Sequence, residues 1–223
     1  LLVPLRVWLG AVWVFEAVMK IVEGWFQKPM LNEFFGGANA WYNSIIASYF
    51  GVAPAQSVDA VASATSAGAD AAASAGTLLL DWDFGLFETI FVSGKELASS
   101  TLADYAFKLD IPFVNWSVDN IVLASDGMQM FMQIVIVLLE LAIGLGLMSG
   151  LFTFPSAAVS IILQFMFLST TGLYLNGMWM VFASVAVLIG AGRTIGFDYY
   201  VGPFLKKHWK NVKWVKRWYL YND

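Results

Sequence analysis

The feature that most constrains this chain is the run from Met128 to Met148, which carries a single formal charge, Glu140. Its length matches the roughly 20 consecutive apolar residues that a helix needs to cross a bilayer. Two uncharged runs follow it, Pro155 to Tyr174 and Gly177 to Gly192, and a fourth, Val3 to Gly24, precedes it, interrupted by Glu16, Lys20 and Glu23. The joints at Ser149–Phe154 and Leu175–Asn176 are so short that the later runs must stack antiparallel. Hydrocarbon offers the backbone no hydrogen bonds, so a spanning segment closes its own as a helix. Composition agrees, with 59% apolar and 13% charged residues against about 45–50% and about 25% in soluble domains. The expected fold is an all-α membrane protein. It would be a four-transmembrane-helix bundle forming one membrane domain over 1–223, with a long extracytoplasmic insertion at 25–127 and a C-terminal amphipathic interfacial helix in the tail, 203–223.

Sidedness follows from Lys and Arg, which concentrate on the cytoplasmic side. Arg6 and seven residues after the fourth run (Arg193, Lys206, Lys207, Lys210, Lys213, Lys216 and Arg217) make eight on one side. The insertion holds Lys28, Lys95 and Lys108 against eleven acidic residues. The expected location is the cell membrane, multi-pass, with both termini cytoplasmic and the insertion outside. The first run lacks the small-residue cleavage site of a signal peptide and reads as a retained helix.

Within the insertion, Ala53 to Thr77 is an Ala/Ser-rich stretch that reads as a tether or a weak solvated helix. Aromatic residues flank it: Phe34, Phe35, Trp41 and Tyr42 before, and Trp82, Phe84, Phe87 and Phe91 after. Leu97, Leu102, Tyr105 and Phe107 give Glu96 to Lys108 a helical spacing. These pieces are expected to pack as short helices over the outer mouth of the bundle. In the tail, Lys206, Lys210, Lys213 and Arg217 form one basic stripe beside Trp214 and Trp218, a pattern suited to a helix lying on an anionic leaflet. Its alternative is a solvated helix docking a protein. Nucleic-acid binding is not expected so close to a span.

The chain has no cysteine and one histidine. That excludes disulfides, thiolate-held metals and CxxC redox chemistry, and no metal site is expected. Attention falls instead on ionisable groups at membrane depth, which are costly unless they face a partner, water or the bundle interior. Glu16, Lys20 and Glu23 share one face of the first helix. At about 1.5 Å per residue, Glu16 and Glu140 lie at similar depths, some 12 Å and 15–18 Å from their outer helix ends. Gln164 sits near the midplane and Gln133 near the level of Lys20. The candidate site is thus Glu16, Lys20, Gln133, Glu140 and Gln164. Two readings stand: a carboxylate exchanging protons with a quinone-like headgroup, or a Lys20 bridge that neutralises Glu16 or Glu140 and fixes helix register. No catalytic residue is firmly indicated.

Three stretches carry a resemblance. LLELAIGLGLMSGLFTFPSAA (Leu138–Ala158), IGAGRTIGFDYYV (Ile189–Val201) and RVWLGAVWVFEAVMKI (Arg6–Ile21) resemble the DoxX family of small four-helix membrane proteins. The long insertion departs from that family, whose members have a short connection there. Bacterial type II NADH dehydrogenase-like proteins carry a similar domain after their flavin domain. The absent initiator methionine and the aromatic-basic ending fit such an arrangement. The family also includes a subunit of thiosulfate:quinone oxidoreductase.

The resemblance implies a place in membrane electron transfer near the quinone pool, and Arg6, Lys20, Glu140, Arg193 and Asp198 match recurring polar positions. Arg193 joins the quinone and proton candidates, with Arg193 and Asp198 as an alternative structural pair. The implied function is a membrane subunit or domain of a quinone-linked oxidoreductase. It would anchor a redox partner or fused flavoprotein domain that holds any FAD or NADH, with quinone bound between helices. The alternatives are an assembly protein binding an extracytoplasmic partner and, third, a small-solute transporter.

Overall fold

The computed structural model describes residues 2–50, 76–95, 100–101, 103–190 and 196–209. In chain order the elements are α1 (Val3–Val22), α2 (Leu31–Phe50), β1 (Thr77–Asp83), β2 (Glu88–Ser93), β3 (Tyr105–Asp110), α3 (Pro112–Ser117), α4 (Asp126–Ser149), α5 (Thr153–Thr170), β4 (Leu173–Tyr174), α6 (Trp179–Gly190) and α7 (Asp198–Trp209). They divide into two compact units, one of residues 1–24, 135–162 and 180–223, the other of 25–134 and 163–179.

The expectation of an all-α four-transmembrane bundle is not met. The strands form a four-stranded antiparallel sheet in the order β1-β2-β3-β4. Only α4 and α5, among the described residues, are long and apolar enough to cross a membrane. In α1 the charges of Arg6, Glu16 and Lys20 break the apolar run. α6 has 12 residues, or about 18 Å of helix at 1.5 Å per residue, well short of a hydrocarbon core about 30 Å thick. Tyr174, expected to end a span, lies in β4.

In the helical unit, α1 buries Arg6, Leu9, Gly10, Trp13 and Ala17, the 3-and-4 spacing of a single helix stripe. This stripe runs antiparallel to α4. A methyl group at Gly10 would lie 2.7 Å from the Gly144 carbonyl oxygen, and one at Gly144 would lie 2.8 Å from the Gly10 carbonyl oxygen. Small residues let apolar helices approach to backbone contact, where dispersion replaces the hydrophobic drive that lipid removes. A hydrogen-bond chain then links three helices: Trp13 Nε1 donates to Ser160 Oγ at 2.9 Å, and Ser160 lies 2.9 Å from Ser184 Oγ. Ser184 Oγ also donates to the Met180 carbonyl at 2.8 Å.

The turn from α4 to α5 is tight, with Gly150 at φ 67° and Phe152 at φ 54°. Asp198 closes it. Its two carboxylate oxygens accept from Phe152 N at 2.6 Å and Thr153 N at 2.8 Å, which satisfies orphan donors at the start of α5 with a favourably placed negative charge.

In the sheet unit, one face of the meander carries Leu78, Ile90, Val92 and Ala106, and α2 covers it with Tyr42 and Ile45. The β1–β2 turn is held by Asp83 Oδ1, which accepts from Gly85 N at 2.6 Å; Gly85 takes φ 80°, which glycine adopts at least cost. Two expectations are corrected here. Trp82 and Phe91 lie on strands rather than short helices, and Tyr105 and Phe107 belong to β3 rather than to a helix. Of the Ala/Ser stretch, 53–75 lies outside the described residues, and Thr77 begins β1.

The glycine crossing makes a direct prediction. Gly144→Leu should destabilise the protein by about 1–3 kcal/mol through overpacking. Gly37→Ala, where a methyl group meets nothing within 4 Å, should stabilise it by about 0.5–1 kcal/mol. Thermal unfolding in detergent, followed by circular dichroism, measures both; a Gly144→Leu protein as stable as the wild type would mean that α1 and α4 do not touch there.

Candidate functional site

The buried stripe of α4 repeats at helical spacing through Gln133, Ile136, Val137, Glu140, Ile143, Gly144 and Leu147. Glu140 is the one formal charge in that stripe and has no exposure to solvent. Lys20 Nζ donates to its Oε1 at 2.6 Å, a charge-assisted bond. The geometry follows from helix direction. Long side chains lean towards the N-terminus of their own helix, so on antiparallel helices Lys20 and Glu140, both to one side of the Gly10–Gly144 crossing, lean towards each other. The second carboxylate oxygen, Oε2, is buried and has no hydrogen-bond partner among the described residues. An unmet acceptor in an apolar interior costs about 1–3 kcal/mol. It is a place for a proton, a water or a ligand donor.

The other candidates separate. Glu16 lies on α1 one turn before Lys20 and is exposed. Gln133 belongs to the sheet unit, where its amide is fully engaged: Nε2 donates to the Trp25 and Lys28 carbonyls, and Oε1 accepts from Met30 N at 2.9 Å. Gln133 therefore clasps the connection between α1 and α2. Gln164 is also buried in the sheet unit. Arg193 lies outside the described residues, as do Lys210, Lys213, Trp214, Arg217 and Trp218; Lys206 falls on α7. Asp198 serves the α5 start as described above.

A second concentration of charge went unnoticed in the sequence because it depends on strand register. Asp83, Glu88 and Asp110 are direct neighbours across β1, β2 and β3, with Asp81 two residues from Asp83 on the same face. A hydrogen bond with Asp81, partial burial and the surrounding carboxylates push Glu88 up from 4.5 to about 7. Lys108, buried beside them, donates to Asp110 at 3.1 Å and to Asn39 at 2.8 Å. At the other end of β3, Lys95 and Thr101 hold Asp104 down to about 2 by hydrogen bonding to its carboxylate.

Neither family models, curated proteins nor solved structures match this chain.

Two tests follow. Lys20→Met leaves a buried, uncompensated carboxylate and should cost about 3–5 kcal/mol, whereas Lys20→Met with Glu140→Leu should recover most of that loss; melting temperatures in detergent would separate this from a pair that contributes nothing. The sheet cluster gives a pH dependence. A carboxyl raised in the folded state binds protons that the unfolded chain has released, so its stabilising contribution is complete below about pH 4.5 and disappears as pH rises through about 7. Glu88→Gln should accordingly match the wild type near about pH 4 and melt higher than it near about pH 8; a pH-independent difference would contradict the crowding of carboxylates.

Proposed function

We propose that the chain is a membrane domain of the DoxX type that serves quinone-linked electron transfer, with the Lys20–Glu140 pair as its quinone and proton site. The observation that carries this reading is the Glu140 carboxylate: fully buried, held through one oxygen by a lysine, and with its other oxygen unmet. A quinone takes up two electrons and two protons to become a quinol. Lys20 offers a donor to a quinone oxygen, and Glu140 offers a group that can hold and release a proton in a water-poor setting. The electrons come from a redox centre on a partner or a fused flavoprotein domain.

In this account α4 and α5 cross the membrane as a hairpin, which leaves both termini and the acidic 25–127 segment on the same side. The exposed Tyr199, Tyr200 and Phe204 of α7, ahead of the basic tail, rest on the anionic leaflet. A second reading, an assembly protein with a structural ion pair, draws on the exposed Trp82, Phe84 and Leu86 around the β1–β2 turn, a surface for an outer partner.

Quinone binding separates the two. Purified protein in nanodiscs should show saturable quenching of tryptophan fluorescence by a short-chain quinone, and Glu140→Gln should weaken it by about tenfold or more, the equivalent of about 1.4 kcal/mol. Quenching that does not saturate in folded protein, or that ignores the substitution, would favour the assembly reading.

A further inference from the structure

The sheet unit contains a cavity of about 200 Å³ lined by Asn32, Phe35, Gly36, Asn39, Asn115, Val118, Asp119, Leu123 and Thr170. Its walls come from three places in the chain. On α2, Asn32, Phe35, Gly36 and Asn39 share one face through spacings of three and four residues. After Pro112 starts α3, a π-helical turn over Val118–Val122 supplies Val118 and Asp119; such wide turns recur at functional sites. Thr170 ends α5.

The polar atoms are organised by charges behind them. Asn39 Oδ1 accepts from Lys108 Nζ at 2.8 Å, which leaves the Asn39 amide hydrogens to donate. Asn115 Nδ2 donates to Asp110 Oδ1, which leaves the Asn115 carbonyl to accept. Thr170 Oγ1 gives its proton to the Met166 carbonyl at 2.9 Å and so can accept as well. Lys108 and Asp110 are themselves paired, so the two amides are fixed with opposite polarity. Phe35 and Val118 are buried and offer an apolar wall beside them.

We infer that this cavity is a binding site for a small, neutral, hydroxyl-rich solute the size of one sugar ring. Hydroxyl groups both donate and accept, which matches a lining that holds a donor amide, an acceptor amide, a threonine oxygen and the Asp119 carboxylate. The C–H face of a ring suits Phe35, Val118 and Leu123. An anion is disfavoured, because Asp119 lines the cavity and Asp110 stands behind Asn115. The space, equal to about seven water molecules of liquid volume, is too small for a nucleotide or for a quinone with its tail. The site is therefore separate from the Lys20–Glu140 pair, and neither depends on the other.

Gly36 provides the test. It lines the cavity, yet a methyl group there meets nothing within 4 Å, so Gly36→Leu should fill the space while the α2 helix is kept or strengthened. Isothermal titration of the full chain in nanodiscs with glucose, galactose and myo-inositol should show saturable binding of at least one at millimolar concentration. Gly36→Leu should abolish that binding with the melting temperature unchanged or raised, Thr170→Val should weaken it several-fold, and glucuronate should bind less well than glucose. No saturable binding of the three neutral probes by folded protein, binding unaffected by Gly36→Leu, or a preference for glucuronate would each overturn the inference.

Discussion

A carboxylate with no access to water, on a helix apolar enough to cross a membrane, demands a counter-charge, and the contact of Lys20 with Glu140 at 2.6 Å is the interaction on which the helical unit depends. Removing two charges from water costs several kcal/mol per ion, which their attraction offsets only in close geometry. That geometry requires α1 to lie against α4 in one direction and one register. The Gly10–Gly144 crossing makes the approach close, and the Trp13–Ser160–Ser184 chain ties α5 and α6 to the same arrangement. The pair thus specifies packing, while its unmet oxygen leaves part of the carboxylate available for chemistry. Structural and functional readings of Glu140 are therefore not exclusive. The same lysine that makes the carboxylate tolerable also sets it beside a position where a proton or ligand donor would be welcome.

The sheet unit solves a different problem. Its strands are short, and one face is covered by α2 through Tyr42 and Ile45. Register then brings Asp83, Glu88 and Asp110 side by side, with buried Lys108 among them. The lysine turns part of this repulsion into ordered hydrogen bonding, to Asp110 and to Asn39. Through Asn39 and Asn115 that order reaches the cavity wall. One buried cation consequently organises both the acidic sheet end and the polarity of a solvent-facing cavity.

Much of the helical unit was legible in the sequence. The long run with Glu140, the interrupted first helix and the tight α4–α5 joint all appear at nearly the expected positions, because hydropathy and charge along one segment are local properties. The sheet was not legible, and the reason is visible in β3. Tyr105 and Phe107 alternate with Ala106 and Lys108 as a strand requires, but a buried lysine on the inward face broke the apolar pattern, and Leu97 and Leu102 upstream suggested a helical period instead. The four-span expectation admitted α1 despite its charges and took the 12-residue α6 as a full span. At the site, depth arithmetic put Glu140 level with Glu16 and Lys20 level with Gln133, whereas the structure pairs Lys20 with Glu140. Depth alone could not assign Gln133, whose amide is consumed by the backbone of 25–30. The carboxylate cluster needs strand register and was beyond any reading of spacing alone.

The central claim is that Glu140 exchanges a proton in response to quinone chemistry. Infrared difference spectroscopy on membranes equilibrated with quinone and then with quinol tests it most directly. The account predicts a carboxyl band that changes between the two states and vanishes in Glu140→Gln. A difference spectrum with no carboxyl signal, or one unaltered by the substitution, would contradict it and leave the pair as a structural clasp between α1 and α4.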